Sequence, residues 1–285
     1  MQNLPSRGPN AKKIKKGIMA PDGYILIDCD SSQIEARVLA WLAGQDDLTE
    51  DFLQKRDVYK KMAGRIYNIE PDEVNDFPQR FLGKTTILGA GYNMGGPKFQ
   101  TSVTNMGLEI SADEAQRTID VYRATHPQIT KLWRSAQMSI EEMSRGFNTP
   151  FGKKGVLEMV LEENAIRLPS GLLVRYEDLQ AEPGDYGYQY TYKVRRGRNY
   201  IYGGKCVENV VQGIARCIVG EQMIKVAKRY RVALTVHDSI VPCVREEEVD
   251  EAREYIETCM SWAPDWAEGL PVACESNAAK RYGDC

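Results

Sequence analysis

The pattern of apolar and polar residues predicts an α+β fold, in which helices cover a small antiparallel sheet. Three observations carry it. Residues Tyr24 to Asp30 (YILIDCD) alternate like a partly buried strand, and Arg231 to Val244 reads as strand, tight turn, strand. Most of the remaining chain shows helical periodicity with recognisable caps.

The 285 residues are 42% apolar and 27% charged, with a formal net charge of -3. A chain of this length buries roughly three quarters of its surface, as one large domain or two lobes. No apolar run is long enough to span a membrane, and the segment after Met1 is polar, then basic, unlike a secretory signal. Cys29, Cys206, Cys217, Cys243, Cys259, Cys274 and Cys285 include no C-x-x-C pair, a pattern of free thiols in a reducing compartment. The charge balance does not advertise a nucleic-acid binder. Two local clusters, Lys12-Lys13-Lys15-Lys16 and Lys193-Arg195-Arg196-Arg198, read either as solvated faces or as steering surfaces.

In chain order, residues 1–20 are rich in Pro, Gly and Lys and read as extended rather than helical. Period two puts Tyr24, Leu26, Asp28 and Asp30 on one face of the first strand, with Ile25, Ile27 and Cys29 on the other. Ser32 and Glu35 have capping-box spacing, opening a helix through Val38, Leu39 and Leu42 that stops near Gly44. Short helices fill 46–75, broken at Glu70-Pro71. From Pro78 a further helix is predicted, with Arg80, Lys84, Leu88 and Tyr92 recurring every four residues as a slowly winding stripe. Gly83, Gly89 and Gly91 weaken that helix, which argues for close approach of a neighbour.

Ser111 with Glu114 opens a helix that ends at His126-Pro127, and another follows to about Arg145. Residues 147–206 read as strands and hairpins, punctuated at Pro169-Ser170-Gly171 and Pro183-Gly184-Asp185. A long helix follows over 207–229, its buried side Val207, Val210, Val211, Ile214, Ile218 and Ile224. His237-Asp238 falls at the turn of the next hairpin, and a helix from about Glu246 to Met260 packs against it.

Asp30 at a strand end and Asp238 at a hairpin turn suggest a divalent-metal site of the kind used in phosphoryl transfer. Each alone also reads as structure, Asp30 as a turn residue before a helix and Asp238 as part of a tight turn. The two cations of the Arg80 stripe suit a polyphosphate, and Tyr92 suits a base, the alternative being an amphipathic helix with its charged residues in water. A metal-dependent phosphodiester hydrolase would leave that stripe without a use.

These residues, in this order, resemble family A DNA polymerases, in particular the palm and fingers portion of bacteriophage and prophage members. DSSQIEAR at 30–37 resembles motif A, with Ser31 where tyrosine is more usual. Arg80, Lys84, Leu88-Gly89 and Tyr92-Asn93 resemble motif B, with Leu88 in place of an aromatic residue. VHDS at 236–239 resembles motif C, with Ser239 in place of glutamate. MQNLPSR at the start, ENVVQGIAR at 208–216 and KRYG near the end match the palm entry, the helix before motif C and the phage-type terminus.

The resemblance implies a polymerase palm with a small antiparallel sheet plus helical fingers. Its parts are palm at 1–45, fingers at 46–145, a hairpin-rich insertion at 146–206 and the rest of the palm at 207–285. Thumb and exonuclease domains are expected to be absent, for want of room. The implied activity is transfer of dNMP from a dNTP to a primer 3′-hydroxyl on a DNA template, with two Mg²⁺ ions. Asp30 and Asp238 are the implied catalytic, metal-binding carboxylates, with Ser31 a ligand through its carbonyl. Gln33, Glu35, Arg80, Lys84, Leu88 and Tyr92 are implied to bind the dNTP, Glu35 excluding a 2′-hydroxyl. Arg7, Gln212 and His237 are implied to contact primer-template DNA. The implied setting is the cytoplasm of a bacterial host, with no membrane partner. The alternative is a thumbless fragment or subunit of a split polymerase, a DNA-interaction module inactive without a second polypeptide that supplies thumb and exonuclease.

Overall fold

The computed structural model describes residues 10–184 and 187–285. In chain order run α1 (Ala11–Lys16), β1 (Tyr24–Ser31), α2 (Ile34–Ala43), α3 (Asp46–Leu53), α4 (Val58–Tyr67), α5 (Phe81–Gly89) and α6 (Gly96–Asn105). Then come α7 (Ala112–Thr125), α8 (Pro127–Ser144), β2 (Glu158–Val160), β3 (Ala165–Arg167), β4 (Leu173–Arg175), β5 (Gln180–Gly184), β6 (Gly187–Lys193) and β7 (Arg198–Ile201). The chain closes with α9 (Gly203–Ala227), β8 (Arg231–Val236), β9 (Ser239–Arg245), α10 (Val249–Met260) and β10 (Cys274–Ala279). This is the predicted α+β class. Among the described residues, no helix is long and apolar enough to cross a membrane. The chain divides into two compact units, the first taking the described residues up to Ile34 with Ala215–Cys285, the second Glu35–Ile214.

The first unit is built on an antiparallel sheet of order β10-β1-β9-β8. The alternation of β1 explains its central place. Ile27 and Cys29 enter a core with Val219 and Val226 of α9 and Ile256 and Met260 of α10. Leu26 turns to the opposite face and packs with Leu234, Val241 and Tyr282. Burying a side chain such as Ile27, wholly inaccessible here, stabilises by about 1.5–3 kcal/mol. Asp28 and Asp30 continue the Leu26 face, and Asp30 emerges into solvent at the strand's end. The two-residue turn His237-Asp238 sets the β8–β9 register so that Val236 pairs with Ser239, and on the other side of β9 the same Ser239 pairs with Asp30 of β1.

Four details of this region depart from the sequence reading. Ala11–Lys16 is helical rather than extended. So short a helix has no stability of its own; Lys16 pairs with Asp284 at 2.7 Å, and Lys15 lies over the Tyr282 ring at 5.4 Å. Strand β10 was not predicted. The helix α9 begins at Gly203, before the expected 207. Ile224 is 60% exposed. It lies six residues beyond Ile218, about 240° around the helix and off the buried face. Gln222 takes the inner position instead, and its Nε2 donates to the carbonyls of Met260 and Trp262 at 2.8 Å each.

The second unit is mainly helical, with two three-stranded sheets, β2-β3-β4 and β5-β6-β7. The helix after β1 runs from Ile34 to Ala43, and Gly44 at φ 68 ends it as expected. Glu35 is therefore its second residue, not the third that a capping box from Ser32 needs. Ser111 accepts from the Glu114 N–H at 3.1 Å and caps α7. The predicted helix from Pro78 is interrupted. A π-helical turn covers Asp76–Arg80, regular α-helix holds only from Phe81 to Gly89, and a 3-10 turn carries Ala90–Tyr92. Gly83 explains how α5 packs on α4: a Cβ there would sit 2.2 Å from the Tyr59 carbonyl oxygen. Gly91 is similarly pressed, against Leu39, whereas Gly89 is not crowded.

Candidate active site

In the first unit, Asp30 and Asp238 come within hydrogen-bonding reach of each other. The backbone holds them there, because the Ser31 N–H donates to the Asp238 carbonyl at 3.3 Å. Although Asp30 reaches solvent, partial burial and then the charges of Asp238, Asp28 and Glu275 push its carboxyl up to about 7. Ser239 donates its hydroxyl to Asp28. Burial leaves the Asp28 carboxyl raised, while Ser239 and Lys15 act to lower it. His237 is exposed at φ 54, and its carbonyl accepts from Arg216 Nη1 at 3.5 Å. Asp28 and Arg216 were not singled out in the sequence. For Asp28 the signal was present, since it shares the Asp30 face of β1.

This acidic group fits a hard divalent cation. Carboxylates crowd one end of the sheet, and after burial it is their charges that push the Asp30 carboxyl up to about 7. A cation would offset those charges. The donors on offer are all oxygen, which suits Mg²⁺. Among the described residues, no group of three or more His, Cys, Asp or Glu forms a metal cage. Mg²⁺ commonly takes one or two carboxylates and completes its shell with water and substrate oxygens.

In the second unit, Tyr92 donates its hydroxyl to Glu35 Oε2 at 2.8 Å. Burial, and then Glu35, hold the Tyr92 phenol well above its usual range, so it remains a donor. Arg80 Nε pairs with Asp57 at 2.8 Å, Lys84 is exposed, and Leu88 is 43% exposed. Arg80, Lys84 and Leu88 thus form an outer row, but Tyr92 leaves it, because the 3-10 turn swings its ring inward. Gln212 is exposed on α9, and Gln33, in the first unit, has φ 51. Arg7 lies outside the described residues. Of the basic clusters, Arg198 is bound to Asp178 and Thr191, whereas Arg195 and Arg196 are exposed at the β6–β7 turn.

The fold aligns over its whole length with a solved polymerase structure, the POL domain of Pol1 from M. smegmatis in complex with DNA primer-template and dNTP. The TM-score is 0.73 at 20% identity, and the match covers 45% of that chain. The likeness establishes a common fold. The sequence profile of DNA polymerase family A matches residues 1–284. The chain belongs to that family. It is 27% identical over 283 residues to the DNA polymerase of Bacillus phage SP02, covering 94% of this chain and 43% of the phage protein. Against DNA polymerase I of Helicobacter pylori it is 27% identical over 293 residues, covering all of this chain and 28% of that protein. The chain therefore spans less than half the length of these relatives.

Proposed function

We propose that this chain carries the catalytic centre of a DNA-templated DNA polymerase, transferring dNMP from a dNTP to a primer 3′-hydroxyl. The observation that carries the reading is the pair Asp30 and Asp238, brought together from opposite ends of a chain that belongs to family A. The first unit corresponds on this reading to palm, and the helices from α3 to α8 to fingers. The strands of 146–206 form an insertion. A separate partner polypeptide draws no support from the relatives.

Asp30, Asp238 and the Ser31 carbonyl would hold the metal. Two bound Mg²⁺ ions would supply Lewis-acid charge neutralisation at the transferring phosphate and a more acidic attacking hydroxyl. Arg80 and Lys84 bind the β- and γ-phosphates, stabilising negative charge as pyrophosphate leaves. Glu35, fixed by the Tyr92 hydroxyl, excludes a ribose 2′-OH, and the Tyr92 ring covers the nascent base pair. Gln33 and Leu88 complete the dNTP contacts, and Arg7, Gln212 and His237 the DNA contacts. The supporting comparison is that the M. smegmatis domain of the same fold is complexed with primer-template and dNTP.

The expected result with wild-type protein, Mg²⁺ and a primer-template is incorporation of the complementary dNTP in preference to the other three. Gel-resolved single-nucleotide extension measures it. Incorporation without regard to the template base, or none at any protein concentration, would refute the reading.

A further inference from the structure

The assignment of Arg80 to the dNTP triphosphate leaves open what aims its side chain. Asp57 precedes α4 and caps it: Oδ1 accepts the Tyr59 and Lys60 N–H groups, each at 3.0 Å. Only Oδ2 is left for Arg80, and it accepts from Nε at 2.8 Å. A carboxylate free to turn would take the arginine fork with both oxygens. Here the guanidinium is held by one edge, and its Nη nitrogens make no hydrogen bond among the described residues. Beneath it lies the Tyr59 ring, 6% exposed, with Arg80 Cζ 5.3 Å and Lys84 Nζ 5.8 Å from its centroid. The glycine contact at Gly83 fixes α5 against this same turn of α4. Both members of the Asp57–Arg80 pair are about a third exposed, at 34% and 35%, so the bond contributes little to stability.

We propose that Asp57 and Tyr59 are positioning residues for nucleotide binding. Asp57 anchors Arg80 through Nε so that its two Nη groups point outward to a polyphosphate, and the Tyr59 face carries Arg80 and Lys84 side by side. The ligand class is the triphosphate of an incoming nucleotide, and the inference rests on the polymerase reading for that identity. Geometry on the chain itself supplies the rest. Asp57 is spent on the helix and on one arginine nitrogen, which leaves the outer edge of the guanidinium without a hydrogen bond among the described residues.

Asp57→Asn separates the two roles of this residue, because asparagine caps a helix as well as aspartate does. The variant is expected to melt within about 2 °C of wild type. Its KM for dNTP, and its dissociation constant for Mg²⁺-tripolyphosphate, are expected to rise about 5- to 10-fold with kcat changed less than about twofold. In an Arg80→Ala background the same change is expected to have no effect on either constant. Unaltered constants would make the pair merely structural. Lowered constants would mean that Asp57 competes with the triphosphate, and an equal loss without Arg80 would show that it acts elsewhere; each overturns the inference. Should the wild type fail to extend primers while Asp57→Asn still weakens tripolyphosphate binding through Arg80, the polymerase reading falls and this inference stands. Extension by wild type with unchanged constants in Asp57→Asn gives the reverse.

Discussion

Asp30→Asn is expected to raise stability and to abolish nucleotide transfer. In the native protein the Asp30 carboxyl sits at about 7, against an ordinary value of 3.8. The folded state binds this proton more tightly than the unfolded state. Its contribution is therefore present below pH 4 and is lost as pH rises to 7. Asparagine removes that loss. In EDTA at pH 8 the variant is expected to melt higher than wild type, by on the order of 2 °C because solvent screens an exposed group. The difference should vanish near pH 4, as differential scanning calorimetry across the range would show. Extension should fall by about 10³-fold or more, the size of a lost metal contact worth several kcal/mol. A variant that kept both the wild-type pH slope and its extension rate would contradict the assignment.

The second large effect concerns the sugar. Glu35→Ala is expected to reduce discrimination against ribonucleotides by about 10- to 100-fold, the scale on which a small steric or polar mismatch is rejected. Tyr92→Phe retains the ring but removes the hydroxyl that holds Glu35 Oε2 at 2.8 Å. It should relax selection in the same direction by less. The ratio of kcat/KM for dNTP and rNTP on one template measures both. An active Glu35→Ala protein with an unchanged ratio would remove Glu35 from sugar selection.

The sequence made the strands that carry Asp30 and Asp238 legible for a simple reason. In β1 and in the β8–β9 hairpin, side-chain alternation and a two-residue turn are local signals, and they put Asp30 at a strand end and Asp238 at a tight turn. The strand β10 escaped because Cys274–Ala279 (CESNAA) lies at an edge and buries little. Alternation has nothing apolar to mark there. Ile224 misled because a hydrophobic residue was counted without its angle, and Gln222, whose Nε2 donates to two carbonyls, held the inner place. The contacts that tune the site were the least legible. Ser239 meets Asp28 across 211 residues, Tyr92 meets Glu35 across 57, and Arg80 meets Asp57 across 23. Only packing brings such pairs together, and no short-range pattern records them. The break of the helix predicted from Pro78 into π, α and 3-10 segments was hidden as well, since a four-residue spacing continues through all three.

Direct binding of Mn²⁺ in place of Mg²⁺, followed by electron paramagnetic resonance of the free ion, tests whether Asp30 and Asp238 act as one metal-holding pair. Wild-type protein with primer-template is expected to take up Mn²⁺, and Asp30→Asn and Asp238→Asn are each expected to lose most of that uptake. The double variant should lose little more than either alone. Uptake left intact in both single variants, with the fold unchanged by circular dichroism, would contradict the claim that these two aspartates form the catalytic centre.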